Sequence, residues 1–285
     1  MIEMKTTSNI VAMAYDFDGT LAPGNMQEHV FLPSLGIEPA EFWKESNELA
    51  KQQQGDKILT YMHKMLSWAR FKDVPMRRSD WVERGKGIAL FPGVEDWFSR
   101  INKSAEEKGL YVEHYIISSG LRELIEGTNI RLFIKSIFAS GFLYDASSVA
   151  VGPAIAVNYT TKTQYLFRIN KGALDLSDDK KVNAWQAPNA RPVPFSNMIF
   201  IGDGETDIPC FRLVKEQGGH SIAVFPEGDL GKEEAAKRLI SEGRVHCAVP
   251  ANYSPGCELE QRVLAVFDLL AARKRVTADF RRDAE

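Results

Sequence analysis

Three stretches of the chain are almost unbroken apolar runs, and each stops abruptly: residues 10–15, residues 111–117, and residues 198–201. Runs of this kind belong to strands buried on both faces of a sheet, because a strand with one wet face alternates with a period of two. Shorter strand-like pieces lie at residues 136–140, 155–157, 221–225 and 245–249. Elsewhere the period changes. Ile58, Leu59, Tyr61, Met62, Met65, Leu66 and Ala69 recur at spacings of three and four, which predicts an amphipathic helix, and Pro39 opens another that runs to about residue 54. Further helices are predicted after Val94, over 121–126, after Thr163, from Ile208, and over 232–240 and 258–273, with a short one through 180–185. Strands alternating with helices predict an α/β fold, a doubly wound Rossmann-like parallel sheet. Residues 24–88 carry no strand signal and read as an all-helical cap inserted after the first strand, leaving residues 1–23 and 89–285 to the core and residues 142–158 as a β-hairpin within it. The insertion's aromatics, Phe42, Trp43, Tyr61, Trp68, Phe71 and Trp81, are expected in its interior.

Composition narrows the partners. With 35 basic against 38 acidic residues the net charge is -3, so no global field recruits nucleic acid or an anionic membrane, and any anion site must be local. No window approaches eighteen apolar residues, and residues 1–7 lack an apolar leader, so a cytoplasmic location is expected. Cys210, Cys247 and Cys257 have no zinc-like pairing and read as reduced thiols.

The chemistry sits where the apolar runs stop. The first ends in Asp16-Phe17-Asp18-Gly19-Thr20. Side chains two apart on an extended chain point the same way, roughly 7 Å apart, so both carboxylates can face one ligand at the sheet edge where α/β proteins bind. The second ends in Ser118-Ser119-Gly120, a hydroxyl followed by N–H groups able to cradle an anion. Lys162 follows Thr160 and Thr161 near a predicted helix start, where a cation is out of place unless it serves an anion. The third ends in Gly202-Asp203-Gly204-Glu205-Thr206-Asp207.

This ordered set resembles the haloacid dehalogenase-like hydrolases. Asp16 to Thr20 matches their first motif, Ile117 to Gly120 the second, Lys162 the third with Lys171 as its rival, and Gly202 to Asp207 the fourth. The resemblance implies Asp16 as nucleophile, Asp18 as the acid that protonates the leaving alkoxide and then activates water, and Asp207 as a support for Lys162 or the metal site. A phosphate monoester is a dianion that repels an attacking carboxylate, and a divalent cation offsets both charges. Asp16, Asp18, Asp203 and Asp207 are the expected ligands, hard oxygens suited to Mg²⁺. Lys162, Ser118, Ser119 and Gly120 are expected to hold the phosphoryl oxygens. The segments around Ser118 and Asp203 look like the phosphoserine phosphatase branch. That branch places an acid for the substrate amine where this chain has Asn25, which speaks against phosphoserine. Arg77, Arg78, Arg84 and Lys86 read as a solvated basic face, with contacts for an acidic substrate as the alternative. The expected function is hydrolysis of a small phosphorylated metabolite by a monomer or homodimer. The alternatives are a phosphomutase acting on phosphorylated sugars and a non-catalytic metal or phosphometabolite-binding module.

Overall fold

The computed structural model describes residues 9–282. Residues 1–7, read above as lacking an apolar leader, lie outside the described residues. Strand β1 (Ile10–Tyr15) is buried along its whole length and is followed by four helices, α1 (Met26–Leu35), α2 (Pro39–Gln53), α3 (Lys57–Phe71) and α4 (Arg78–Gly85). Then come α5 (Val94–Glu106), β2 (Tyr111–Leu121), α6 (Arg122–Glu126), β3 (Ile134–Tyr144), β4 (Ala150–Ile155), α7 (Lys162–Lys171) and α8 (Asp179–Asn183). The chain closes with β5 (Met198–Gly202), α9 (Ile208–Glu216), β6 (His220–Phe225), α10 (Leu230–Ser241), β7 (Cys247–Pro250) and α11 (Glu258–Arg282).

The seven strands form one sheet in the order β4-β3-β2-β1-β5-β6-β7. Every pairing is parallel except β3 with β4, which folds back as an antiparallel edge. The most apolar strands, β1 and β5, are central, where both faces must be covered. One face packs α5, α11 and the helices following β1 around Trp97, Ile101 and Phe267, and the other packs α7, α9 and α10 around Leu166, Phe211 and Leu239. This is a doubly wound, Rossmann-like sheet. No described helix is long and apolar enough to cross a membrane.

Several boundaries differ from the pattern. Helix α1 left no stripe in the sequence because it is buried on several sides, at Met26, Gln27, Phe31, Leu32 and Leu35, and carries Pro33. Helix α4 is too short to show a period. Strand β2 continues past Ser118 to Leu121, so α6 begins one residue later and is only five residues long. Helix α11 continues beyond Arg273 to Arg282. The aromatics of α2 and α3 divide: Phe42 and Tyr61 are buried, whereas Phe71 is exposed.

The helical block α1–α4 is seated firmly on the sheet. Helix α4 crosses α6 through two glycines: a Cβ on Gly85 would overlap the Leu124 carbonyl, and one on Gly127 would overlap that of Val82. Trp81 stacks on Phe142 of β3. Arg78 N–H donates to Ser148 and Ala150 N–H to Met76, a short backbone splice beside β4. At the start of α3, Asp56 caps the helix with Oδ1, while Oδ2 accepts from Asn158 Nδ2 at 2.7 Å.

Candidate active site

The residues at the carboxyl ends of β1 and β5 meet. Asp16 N–H still pairs with Ile201 of β5 at 2.9 Å, so its side chain is placed by the sheet itself. Asp16 Oδ1 accepts from Phe17 N–H at 2.7 Å, and Oδ2 lies 2.8 Å from Lys162 Nζ. Lys162 is fully buried and also donates to Asp207 Oδ1 at 2.8 Å. Asp207 Oδ2 in turn accepts from Asp203 N–H at 3.2 Å. Carboxylate oxygens of Asp16, Asp203 and Asp207 lie within 4.8 Å of one another. The two glycines beside them make this approach feasible. Gly19 has φ +74, and a Cβ there would overlap the Asp203 carboxylate, just as one on Gly202 would overlap Asp207.

Electrostatics follow from this crowding. Burial pushes the Asp16 carboxyl above its ordinary range, Asp207 adds to the rise, and Lys162 opposes it. Burial also works against the charge on Lys162, but Asp16 and Asp207 outweigh it and hold the ammonium protonated far above neutrality. Asp203 is pushed up to about 6 by burial and by Asp207. Asp18 sits beside this group, accepting from Met26 N–H at 2.8 Å, and burial pushes it up to about 7 against that hydrogen bond. A set of hard oxygens that resists ionising together is a good fit for a divalent cation, whose charge offsets theirs. Asp16, Asp203 and Asp207 could hold it. The Asp18 carboxylate falls outside that triangle.

The other predicted residues are distributed unevenly. A cleft of about 960 Å³ opens over Asp16 and Asp18 and is lined by Ser119, Gly120 and Asn25 among others. Ser118 is buried off its wall, with Oγ accepting from Gly120 N–H at 3.0 Å. Of the N–H groups that follow, that of Gly120 is engaged by this bond and that of Leu121 donates to Met26 Sδ at 3.1 Å. The reason is α1, whose first residue packs where a Cβ on Gly120 would otherwise stand. Between the two lysines the geometry is unambiguous: Lys171 Nζ donates to the Val182 and Ala184 carbonyls at 2.7 and 2.9 Å and fastens α8, while Lys162 enters the acidic cluster. Thr160 and Thr161 do not cap α7 with their hydroxyls. Asn158 Oδ1 accepts both of their N–H groups, at 3.1 and 2.9 Å. Arg78 pairs with Glu126, Lys86 with Glu83, and Arg84 reaches the Val30 carbonyl; neither these three nor Arg77 lines the cleft. Asn25 donates to Glu28 Oε1 at 2.6 Å, and the same oxygen accepts from Trp43 Nε1 at 2.6 Å.

Residue types and order alone match a known pattern. The family model described as haloacid dehalogenase-like hydrolase matches residues 13–212, which includes the ends of β1, β2 and β5 and Lys162. The chain belongs to the haloacid dehalogenase-like hydrolases. An uncharacterized protein of Borreliella burgdorferi is 29% identical over 285 residues, covering 90% of this chain and 96% of its own length. Among solved structures, a HAD family hydrolase from Salmonella enterica serovar Typhi superposes with a TM-score of 0.56 at 16% identity, over 85% of this chain and 67% of that one. A substrate-bound phosphoserine phosphatase superposes with a TM-score of 0.52 at 15% identity, over 84% of this chain and 91% of the other. At these identities the likeness carries the fold. Within this haloacid dehalogenase-like hydrolase, the sequence reading missed Gln27, Trp43, Tyr61 and Lys232, all on the cleft wall. Lys232, 3.5 Å from Asp203, was findable because it follows the end of β6, the strand next to β5. The other three lie on helices, where no strand end advertises them.

Proposed function

We propose that the protein is a Mg²⁺-dependent phosphatase that hydrolyses small phosphomonoesters through an aspartyl-phosphate on Asp16, the α1–α4 block acting as its cap. The observation that carries this reading is the placing of Asp16 between a buried lysine and a second carboxylate-bearing strand end, with Asp18 close by and poised to titrate near neutrality. Asp16 attacks phosphorus as the bond to the leaving oxygen breaks, and protonated Asp18 delivers its proton to that oxygen. A water then attacks the aspartyl-phosphate, Asp18 takes its proton, and cleavage of the phosphorus bond to Asp16 releases inorganic phosphate. Lys162 stabilises the negative charge spread over the transferring oxygens, held in place by Asp207. Bound among Asp16, Asp203 and Asp207, the magnesium ion would neutralise charge on the phosphate and the carboxylates. An acid at position 18 favours phosphoryl transfer to water over binding alone, which needs no proton donor.

The test is phosphate release from p-nitrophenyl phosphate with Mg²⁺. The parent turns over and Asp16→Asn loses activity by on the order of 10³-fold or more. A variant as active as the parent would remove Asp16 from the chemistry.

A further inference from the structure

The cleft has two unlike walls. Its carboxylates, Asp16, Asp18, Asp203, Glu205, Asp229 and Glu242, all come from the sheet side. Among the described residues the facing wall, built from α1–α3 and the turn before α1, brings none. It brings instead three amides and a hydroxyl, from Asn25, Gln27, Asn47 and Ser46, beside the rings of Trp43 and Tyr61. Those rings are fixed rather than free. Tyr61 Oη donates to the Ser119 carbonyl at 2.7 Å, Trp43 is anchored to Glu28, and the two rings meet edge to face at 5.8 Å.

We propose that the leaving group is an uncharged polyhydroxylated chain or ring, so that the substrates are sugar or polyol monophosphates. This rests on the phosphatase reading above. Each amide both donates and accepts, as each sugar hydroxyl does, so neighbouring hydroxyls pair with an amide at both ends without leaving a polar atom unsatisfied. The Trp43 ring, only partly buried and backed by the buried Tyr61, offers an apolar surface for the carbon-bound hydrogens of the same molecule. A phosphorylated amino acid asks for something else: a carboxylate beside its ammonium group. Glu28 stands behind Gly24, outside the cleft lining, and its Oε1 already accepts from both Asn25 and Trp43. Lys57, the one cation this side contributes among the described residues, is exposed on the first turn of α3, where water screens it. The cleft volume of about 960 Å³ stands at the upper end for small-molecule sites and leaves room for a leaving group larger than serine.

The experiment has two arms. In the first, kcat/KM with Mg²⁺ is measured for glucose 6-phosphate, ribose 5-phosphate, glycerol 3-phosphate, phosphoserine, adenosine monophosphate and p-nitrophenyl phosphate. A sugar or polyol phosphate is expected to exceed phosphoserine by about tenfold or more. In Asn25→Ala and Asn47→Ala, both at exposed positions, the ratio of kcat/KM for that substrate to kcat/KM for p-nitrophenyl phosphate is expected to fall several-fold, mainly through KM. Preference for phosphoserine or adenosine monophosphate, or an unchanged ratio in both variants, overturns the proposal. In the second arm, calorimetry measures binding of the same compounds to Asp16→Asn protein. Tighter binding of a sugar or polyol phosphate than of phosphoserine supports the assignment even if every compound fails to turn over, an outcome that sinks the phosphatase reading alone. Equal or weaker binding overturns the assignment whatever the turnover.

Discussion

The two walls of the cleft are built by different rules. On the sheet side each functional residue is held by the sheet or by its buried neighbours: Asp16 by its pairing with β5, Asp203 by its N–H on Asp207, and Lys162 by two carboxylates. On the helical side the wall consists of side chains on the faces of α1, α2 and α3, held by contacts with one another and by a few bonds to the core. On the proposed function, reaction chemistry falls where geometry is over-determined and selection where side chains can change without disturbing a strand.

Substitutions test that division, beginning with the largest effect. Asp18→Asn, on the sheet side, is expected to cut turnover of alkyl phosphates by about 10²–10⁴-fold through loss of the proton donor. Its effect on the metal-free fold is opposite. A carboxyl held at about 7 in the folded protein favours folding fully below its unfolded value near 4 and gives that up as pH rises through 7. The metal-free parent therefore loses stability from about pH 4 to pH 7, and Asp18→Asn escapes this part of the loss. Urea melts at pH 5 and pH 8 check it; equal losses in parent and variant would place Asp18 outside the buried cluster. Next in size, Gly127→Ala drives a methyl into the Val82 carbonyl and is expected to cost about 1–3 kcal/mol by thermal melting. Unchanged stability would mean that α4 and α6 do not cross as closely as described. The smallest effect is expected of Arg78→Ala, which removes a partly exposed pair with Glu126 between block and core and should cost less than about 1 kcal/mol. A larger loss would give the seam an electrostatic share that its glycines and aromatics do not leave for it.

The same division explains what could be read in advance. A buried parallel strand must be apolar until it leaves the core, so its end is marked by the first charge, and Asp16 and Asp203 were visible for that reason. The alternation of strands and helices followed from the change of period. Lys162 stood out as a cation at a helix start, although the distinction from Lys171 required three-dimensional proximity to Asp16. Ser119 and Gly120 reach the cleft as their place at a strand end suggested, but nothing local shows that Met26, far from them along the chain, packs against Gly120 and takes the Leu121 N–H. Trp43 and Tyr61 looked like interior aromatics because composition cannot separate a ring that fills a core from one that lines a cleft beside it. Arg78 and Lys86, candidates either for an acidic substrate or for a solvated basic face, pair with Glu126 and with Glu83 three residues earlier, as a solvated face does.

Asn158 ties these two halves mechanically. Its carbonyl oxygen organises the first turn of α7, from which Lys162 projects, and its amide nitrogen holds Asp56 at the head of α3. Any swing of α3 away from the sheet must either break that bond or tug on the turn that aims the lysine. The placing of α3 and the aim of the buried lysine thus share one linkage, and a force applied to the helical wall is felt at Lys162.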